Sequence, residues 1–232
     1  MKETEFDQFA ESYYKLHAEN ISKTGEKPDY FYEYKVADTA SLCEELGVES
    51  KNILDFGSGI GNSIQWFRKY FPKSKIICAD VSKRSIELSI KRFPGNEEYL
   101  TLSESGNIPL CYGNVDVIFT ACVFHHIPHE KHILIFKEFK RILKYGGLLV
   151  IFEHNPFNPL TVSTVRDCAF DKKARLISAS KLCQFANEAG WGKVKTRYRI
   201  FFPRILHQFR PFEKYLYHFC LGAQYCVYSI NI

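Results

Sequence analysis

The sequence predicts an α/β fold, a parallel sheet with helices on both faces and an antiparallel pair of strands at its end. Three observations carry this expectation. From residue 52 onward, short apolar runs alternate with amphipathic segments at helical spacing. A glycine loop joins the first apolar run to the helix after it. Two further strand-like runs, KVKTRYRIFFP and AQYCVYSI, close the chain with a segment around Phe209 to Phe219 between them.

Each element has its own local signal. Phe6, Phe9, Tyr13 and Leu16 recur at helical spacing, GEKPD breaks the pattern, and Tyr30 to Leu46 resumes it up to Gly47. NILDFG reads as a buried strand, followed by a helix from Ile60 to Tyr70 that Pro72 stops. KIICADV is the second strand, and the helix from Lys83 to Phe93 ends at Pro94-Gly95. VDVIFTACVF is a long strand, and the helix from Glu130 to Leu143 ends at Tyr145-Gly146-Gly147. LLVIFEH is a strand, a loop rich in Pro and Asn follows, and a last helix spans Ala179 to Ala189 with Gly190 as its stop.

Composition narrows the class. With 46% apolar and 25% charged residues in 232, global disorder is excluded and one domain is expected. Aromatics reach 16%, which predicts a ring-rich core or pocket. No apolar run approaches the roughly 18 residues that span a bilayer, and the acidic start lacks a secretory core, so a cytoplasmic location is expected. The eight cysteines form no CxxC pair, which argues for reduced thiols rather than a zinc or redox motif. Charge is uneven: 5 basic against 12 acidic residues over 1–50, and 12 against 5 over 151–232. The basic residues of the last third are dispersed, so a solvated face is expected there and no nucleic-acid partner.

The sharpest feature is Asp55-Phe56-Gly57-Ser58-Gly59-Ile60-Gly61-Asn62. Glycines between a strand and a helix let the backbone turn tightly and approach a ligand without a Cβ in the way. A dinucleotide fingerprint would carry glycine where Asn62 stands; here the pattern is D-x-G-x-G-x-G. Asp55 is poorly placed against a pyrophosphate and well placed against a cationic or amino-bearing group. Asp80 ends the second strand, 25 residues after Asp55, where a ribose-binding carboxylate belongs in a βαβ unit.

Five segments in order resemble the class I S-adenosylmethionine-dependent methyltransferases: ILDFGSGIGN, IICADVS, ESGNIPL, VDVIFTACVFHHIP and EFKRILKYGGLLVIFEH. The likeness is close over about residues 50 to 155 and is nearest to the ubiquinone/menaquinone methyltransferase-like branch. It implies a Rossmann-like seven-stranded sheet of order 3-2-1-4-5-7-6 with one antiparallel strand. It also implies a helical lid over residues 1–48 on a core of residues 49–232, and S-adenosylmethionine as cofactor, released as S-adenosylhomocysteine. The positions it implies for that cofactor are Asp55, Gly57, Ser58, Gly59 and Gly61; Asp80, Val81 and Ser82; Glu104, Ser105 and Gly106; Ala121; and Tyr13. The sequence departs from the family pattern at Tyr145, in place of a proline, and at Glu104, in place of Asp.

Other residues are read from position. His125 and His126 follow the fourth strand and are candidates for a general base toward an acceptor hydroxyl. The run from His125 to His132 suggests a metal, but Pro128 interrupts it and no carboxylate cluster completes it, so no metal is expected. His154 and Asn155, with Tyr34 from the N-terminal helices, are expected in the acceptor pocket, with turn chemistry the alternative for Asn155. Lys35 is expected in solvent, and the segment from Arg204 to Phe219 packed between the last two strands. The expected function is methyl transfer to a small-molecule acceptor, its atom (O, N or C) set by pocket shape rather than by these motifs. The alternatives are an NAD(P)-binding oxidoreductase and a non-catalytic methyltransferase-like binding protein. A monomer or homodimer is expected, with a lipid-like acceptor at a membrane surface as a further alternative.

Overall fold

Seven strands form one sheet: β1 (Asn52–Phe56), β2 (Lys75–Asp80), β3 (Glu98–Thr101), β4 (Val115–Ala121), β5 (Leu143–His154), β6 (Lys195–Arg199) and β7 (Gln224–Ile230). The computed structural model describes residues 13–103, 106–168 and 171–232. The strand order is β3-β2-β1-β4-β5-β7-β6, and β7 alone runs antiparallel to its neighbours β5 and β6. This is the order and the single reversed strand that the sequence predicts.

The central strands NILDF and VDVIFTA are apolar almost throughout because both of their faces are covered. On one face, α5 (His129–Ile142) and α7 (Ala179–Glu188) bring Phe136, Phe139, Leu182 and Phe185 onto Leu54, Phe56 and Ile118. On the other, α2 (Pro28–Leu46) and α3 (Ile64–Tyr70) bring Val36, Leu42, Ile64 and Phe67 onto Ile53, Val117 and Phe119. The remaining helices are α1 (Tyr13–Asn20), α4 (Lys83–Arg92), α6 (Pro159–Asp167) and the short α8 (Glu213–Leu216). Among the described residues, no helix is long and apolar enough to cross a membrane.

Local chemistry explains where the structure departs from the periodicity. Helix α3 starts at Ile64 rather than Ile60 because Gly61 takes a left-handed φ of +79°, which keeps the loop going. Strand β4 stops at Ala121 because Cys122 adopts a φ of +58°. Helix α5 passes into β5 with no loop, and Tyr145 sits exposed at that turn. Two elements had no periodic signal. Strand β3 is a half-buried edge, and α6 lies in the Pro/Asn segment read as loop. There the Asn158 side chain accepts from Thr161 N–H and Pro159 opens the helix, so the turn chemistry is a helix cap.

The segment between β6 and β7 was expected to pack between them, and it does not. None of Arg204–Phe212 is buried, and Ile205, Phe209, Phe212 and Phe219 face outward. Pro211 and a kink at Leu206 interrupt this 3-10 stretch, and Arg204 and Arg210 tie it to Gly25 and Glu26 ahead of α2.

Phe139 joins the core to the functional end of the sheet. Its ring centroid lies 4.9 Å from Phe56, at the end of β1, and 6.1 Å from Phe124, in the turn after β4. Truncating so central a ring costs about 3–5 kcal/mol. Phe139→Ala should therefore lower the unfolding midpoint by roughly 6–20 °C in a thermal melt. A fall of under about 3 °C would show that this ring does not hold the two segments.

Candidate functional site

The loop after β1 is built to touch its neighbours with backbone. Gly57 has a φ of +77°, and a Cβ there would lie 2.3 Å from Cγ2 of Val123, so only glycine lets the loop lie against the turn after β4. Its N–H and that of Ser58 both donate to the Ala79 carbonyl, at 2.8 and 3.1 Å. Gly59 N–H donates to Asp80 Oδ2 at 2.8 Å, and Ser82 N–H to Asp80 Oδ1 at 2.8 Å. The Asp80 carboxylate is thus fixed at the rim of β2. Asp55, one step inside β1, is buried, and its Oδ2 accepts no hydrogen bond. Burial, and then the nearby Asp80 charge, push its carboxyl up to about 8.

These residues open onto a cavity of about 590 Å³ at the carboxyl ends of β1, β2, β4 and β5. Asp55, Gly57, Ser58, Gly59, Asp80 and Val81 line one side, with Gly106 and Ile108 beyond them and Ala121 at the end of β4. Helices α1 and α2 contribute His17, Tyr30, Phe31, Tyr32 and Lys35. The Tyr32 hydroxyl accepts from Asn62 Nδ2 at 3.1 Å and lies 2.8 Å from His17 Nδ1. Burial, then the charge of Lys35, lower the His17 imidazole to about 4. Lys35 is not in solvent, as expected, but only 4% exposed in the cavity wall. Ile200, Phe202 and Pro203, after β6, complete the apolar wall.

The far end of the cavity is polar. Glu153, at the end of β5, is fully buried and accepts from Phe124 N–H at 2.6 Å. Its Oε2 lies 2.7 Å from His125 Nδ1 and also accepts from His154 N–H at 3.3 Å. Asp171 Oδ1 lies 3.5 Å from His125 Nε2 and 3.2 Å from His126 Nε2. Burial opposes a charged His125, but Glu153 and Asp171 outweigh it and lift this imidazole to about 10. Burial would likewise raise Glu153, but His125 holds it at about 2. Asp171 sits well below the usual carboxylate range because the two imidazoles beside it outweigh its burial. His126 and His154 move the other way, burial being the main cause, and His154 falls to about 4. One imidazolium is therefore clamped between two carboxylates, with two neutral imidazoles beside it.

Eleven of the positions predicted from sequence lie on the cavity: the eight cofactor-side residues Asp55, Gly57, Ser58, Gly59, Asp80, Val81, Gly106 and Ala121, the acceptor-side His154, and His125 and His126. Four others face elsewhere. Gly61 packs under Ser89 of α4 and Ile64. Ser82 caps α4 by accepting from Ser85 N–H. Asn155 is buried and donates to the Cys220 and Gly222 carbonyls, which is the turn-chemistry alternative. Tyr34 is packed in the core against Phe152. Glu104, Ser105 and the side chain of Tyr13 lie outside the described residues. Sequence reading missed His17, Tyr32 and Asp171. Asp171 is the carboxylate that was found lacking beside the histidines, and its distance along the chain hid it.

Comparison with known proteins agrees with this geometry. Residues 54–151 match the family model described as a methyltransferase domain. A demethylmenaquinone methyltransferase of Thermotoga maritima is 28% identical over 113 residues, covering 49% of this chain and 48% of that protein. A trans-aconitate 2-methyltransferase of Afipia carboxidovorans is 27% identical over 110 residues, covering 47% and 41%. The chain spans about half the length of the curated relatives it matches. A solved structure from Thermotoga maritima, a SAM-dependent methyltransferase described as a possible histamine N-methyltransferase, superposes with a TM-score of 0.66. At 20% identity over 98% of both chains, that likeness speaks for the fold. The glycine loop and both acidic strand ends lie within residues 54–151, the segment that matches the methyltransferase-domain model, and the sheet order is shared with the solved methyltransferase structure's fold.

Proposed function

We propose that this chain binds S-adenosylmethionine at the ends of β1, β2 and β4 and directs methyl transfer to a small, largely apolar acceptor. The observation that carries the reading is the pair of buried acids flanking the glycine loop, one of them, Asp55, with an orphaned oxygen. A buried carboxylate without a partner is costly, and a cationic ligand group beside it removes that cost. The ammonium of the methionine part is such a group. Asp80 takes the ribose hydroxyls, and charge-assisted bonds of this kind contribute about 1.5–3 kcal/mol each. The backbone at Gly57 and Ala121 holds the methionine part, and residues 106–108 meet the adenine.

When bound, the sulfonium supplies an activated methyl group, and in-line displacement there needs orientation and exclusion of water more than covalent help. The whole chain acts as one domain: the described part of the N-terminal segment, residues 13–48, closes the cavity as a lid, with Tyr30, Phe31 and Tyr32 on its inner face, over a core of residues 49–232. The acceptor's apolar body lies against Phe31, Phe202 and Leu160, and its polar end meets the cluster of His125, His126 and Asp171. Deprotonation of a hydroxyl acceptor falls to that cluster, in which His126 is a neutral imidazole. An NAD(P) site is disfavoured because Asp55 and Asn62 replace the residues a pyrophosphate loop requires.

Three outcomes test this reading. By titration calorimetry, wild type should bind S-adenosylmethionine and not NADH, and Asp80→Ala should weaken binding roughly tenfold to a hundredfold. Unchanged affinity in the folded variant would remove Asp80 from the ribose site.

The free protein should also show Asp55 in its stability. A carboxyl at about 8 when folded, against an ordinary value of 3.8, keeps its proton in the fold and loses it on unfolding. Its contribution is therefore full below the ordinary value and is lost as pH rises toward 8. Asp55→Asn removes that loss, so its melting point should gain on wild type more at pH 8 than at pH 5, while its cofactor affinity falls. An equal difference at both pH values would mean that Asp55 is ionised throughout.

On an identified hydroxyl acceptor, His126→Ala should lower kcat about 100-fold or more with cofactor affinity little changed. Full activity would leave catalysis to positioning alone.

A further inference from the structure

Three donor atoms converge in the polar wall of the cavity: His125 Nε2, His126 Nε2 and Asp171 Oδ1 lie within 4.8 Å of one another. The carboxylate oxygen is 3.2 Å from one ring nitrogen and 3.5 Å from the other. Donors bound to one first-row cation at about 2.1 Å stand roughly 3.0–3.4 Å apart, in tetrahedral or octahedral geometry. Asp171 Oδ1 is buried and makes no hydrogen bond, although the His126 nitrogen is near enough for one.

Two further observations point the same way. Glu153 Oε2 lies 2.7 Å from His125 Nδ1, the arrangement by which a carboxylate orients a metal-binding imidazole and leaves its other nitrogen for the ion. Glu153 is itself pinned by the backbone N–H groups of Phe124 and His154. The cluster also holds two buried carboxylates, Glu153 and Asp171, and among the described residues neither is paired with a lysine or arginine. In the free protein the His125 imidazolium balances them, and a divalent ion at its Nε2 takes the place of that ring's second proton.

We propose that His125, His126 and Asp171 bind one divalent transition-metal ion, with its open positions facing the cavity. Two imidazoles and one carboxylate suit zinc, iron(II) or manganese(II). This departs from the sequence expectation of no metal, and it deepens the methyltransferase reading, on which it rests for its purpose. The ion stands at the acceptor end, where an acceptor oxygen can enter its coordination shell, and His126 acts as a ligand. The acceptor class is then one with an oxygen donor beside the methylated atom or at it.

The test is calorimetric titration of Zn²⁺ and of Mn²⁺ into chelator-treated full-length protein. Wild type should take up one equivalent of at least one of them with a dissociation constant in the micromolar range or below. Asp171→Ala and His126→Ala should each weaken that binding at least tenfold, and Glu153→Gln by about tenfold to a hundredfold. Because substitutions in a buried cluster can unfold the chain, X-ray absorption on zinc-loaded wild type gives an independent reading. It should show imidazole nitrogen and carboxylate oxygen around the ion. No uptake by folded wild type, uptake unchanged in folded Asp171→Ala, or a sulfur ligand shell would each overturn the proposal. S-adenosylmethionine titrated into the same samples separates the two readings: cofactor binding without metal uptake overturns only the metal site, and metal uptake without cofactor binding only the methyltransferase assignment.

Discussion

The cofactor side of the cavity depends on one carboxylate tying two loops together. Asp80 accepts from Gly59 N–H with one oxygen and from Ser82 N–H with the other, so the glycine loop after β1 and the start of α4 after β2 share a single anchor. That anchor works because β1 and β2 are parallel neighbours in register, Phe56 beside Ala79, and end at the same level. The Ala79 carbonyl then takes the N–H groups of Gly57 and Ser58. Backbone pairing, not side-chain packing, sets the shape of the loop, and it leaves Asp55 facing inward with no partner. Loss of the anchor would free both loops and blunt the one feature that separates this site from a pyrophosphate-binding turn.

Polar groups are sorted along the cavity by the same sheet edge. Strands β1 and β2 place Asp55 and Asp80 at one end. Strand β5, paired with β4 as Ala121 beside Phe152, places Glu153 against the turn that carries His125 and His126. Between them run the rings of α2 and the apolar stretch after β6. On the proposed reading, a cationic, polar cofactor and an apolar acceptor with one polar end meet different surfaces of one cavity. The aromatic content apparent in the composition lines this middle section as well as the core.

Sequence was most informative where backbone geometry restricts residue choice. Glycines at 57 and 59 and the acids at 55 and 80 announce a strand–loop–helix turn, because few other residues fit it. The antiparallel end of the sheet followed from two late strand-like runs, one of which pairs along the whole core-facing half of β5. Side-chain direction was less legible. Tyr34 looked as good a pocket residue as Tyr32, but two residues turn a helix by about 200°, which sends Tyr32 to the cavity and Tyr34 into the core. Lys35 looks like a surface lysine in any composition scan, and only its place on the buried side of α2 reverses that. Asp171 carries no local signal, since it meets His126 only through the fold, across 45 residues of chain. Asn155 and Ser82 had the right residue types for ligand contact and were taken up by turn and cap duties instead, for which Asn and Ser are equally suited.

A crystal structure of the full chain soaked with S-adenosylhomocysteine tests the central claim most directly. The account predicts nucleoside density across the ends of β1 and β2, with ribose oxygens within hydrogen-bond distance of Asp80 and the amino group beside Asp55. Density confined to another face of the protein, or a ligand in the cavity that avoids both acids, would contradict it.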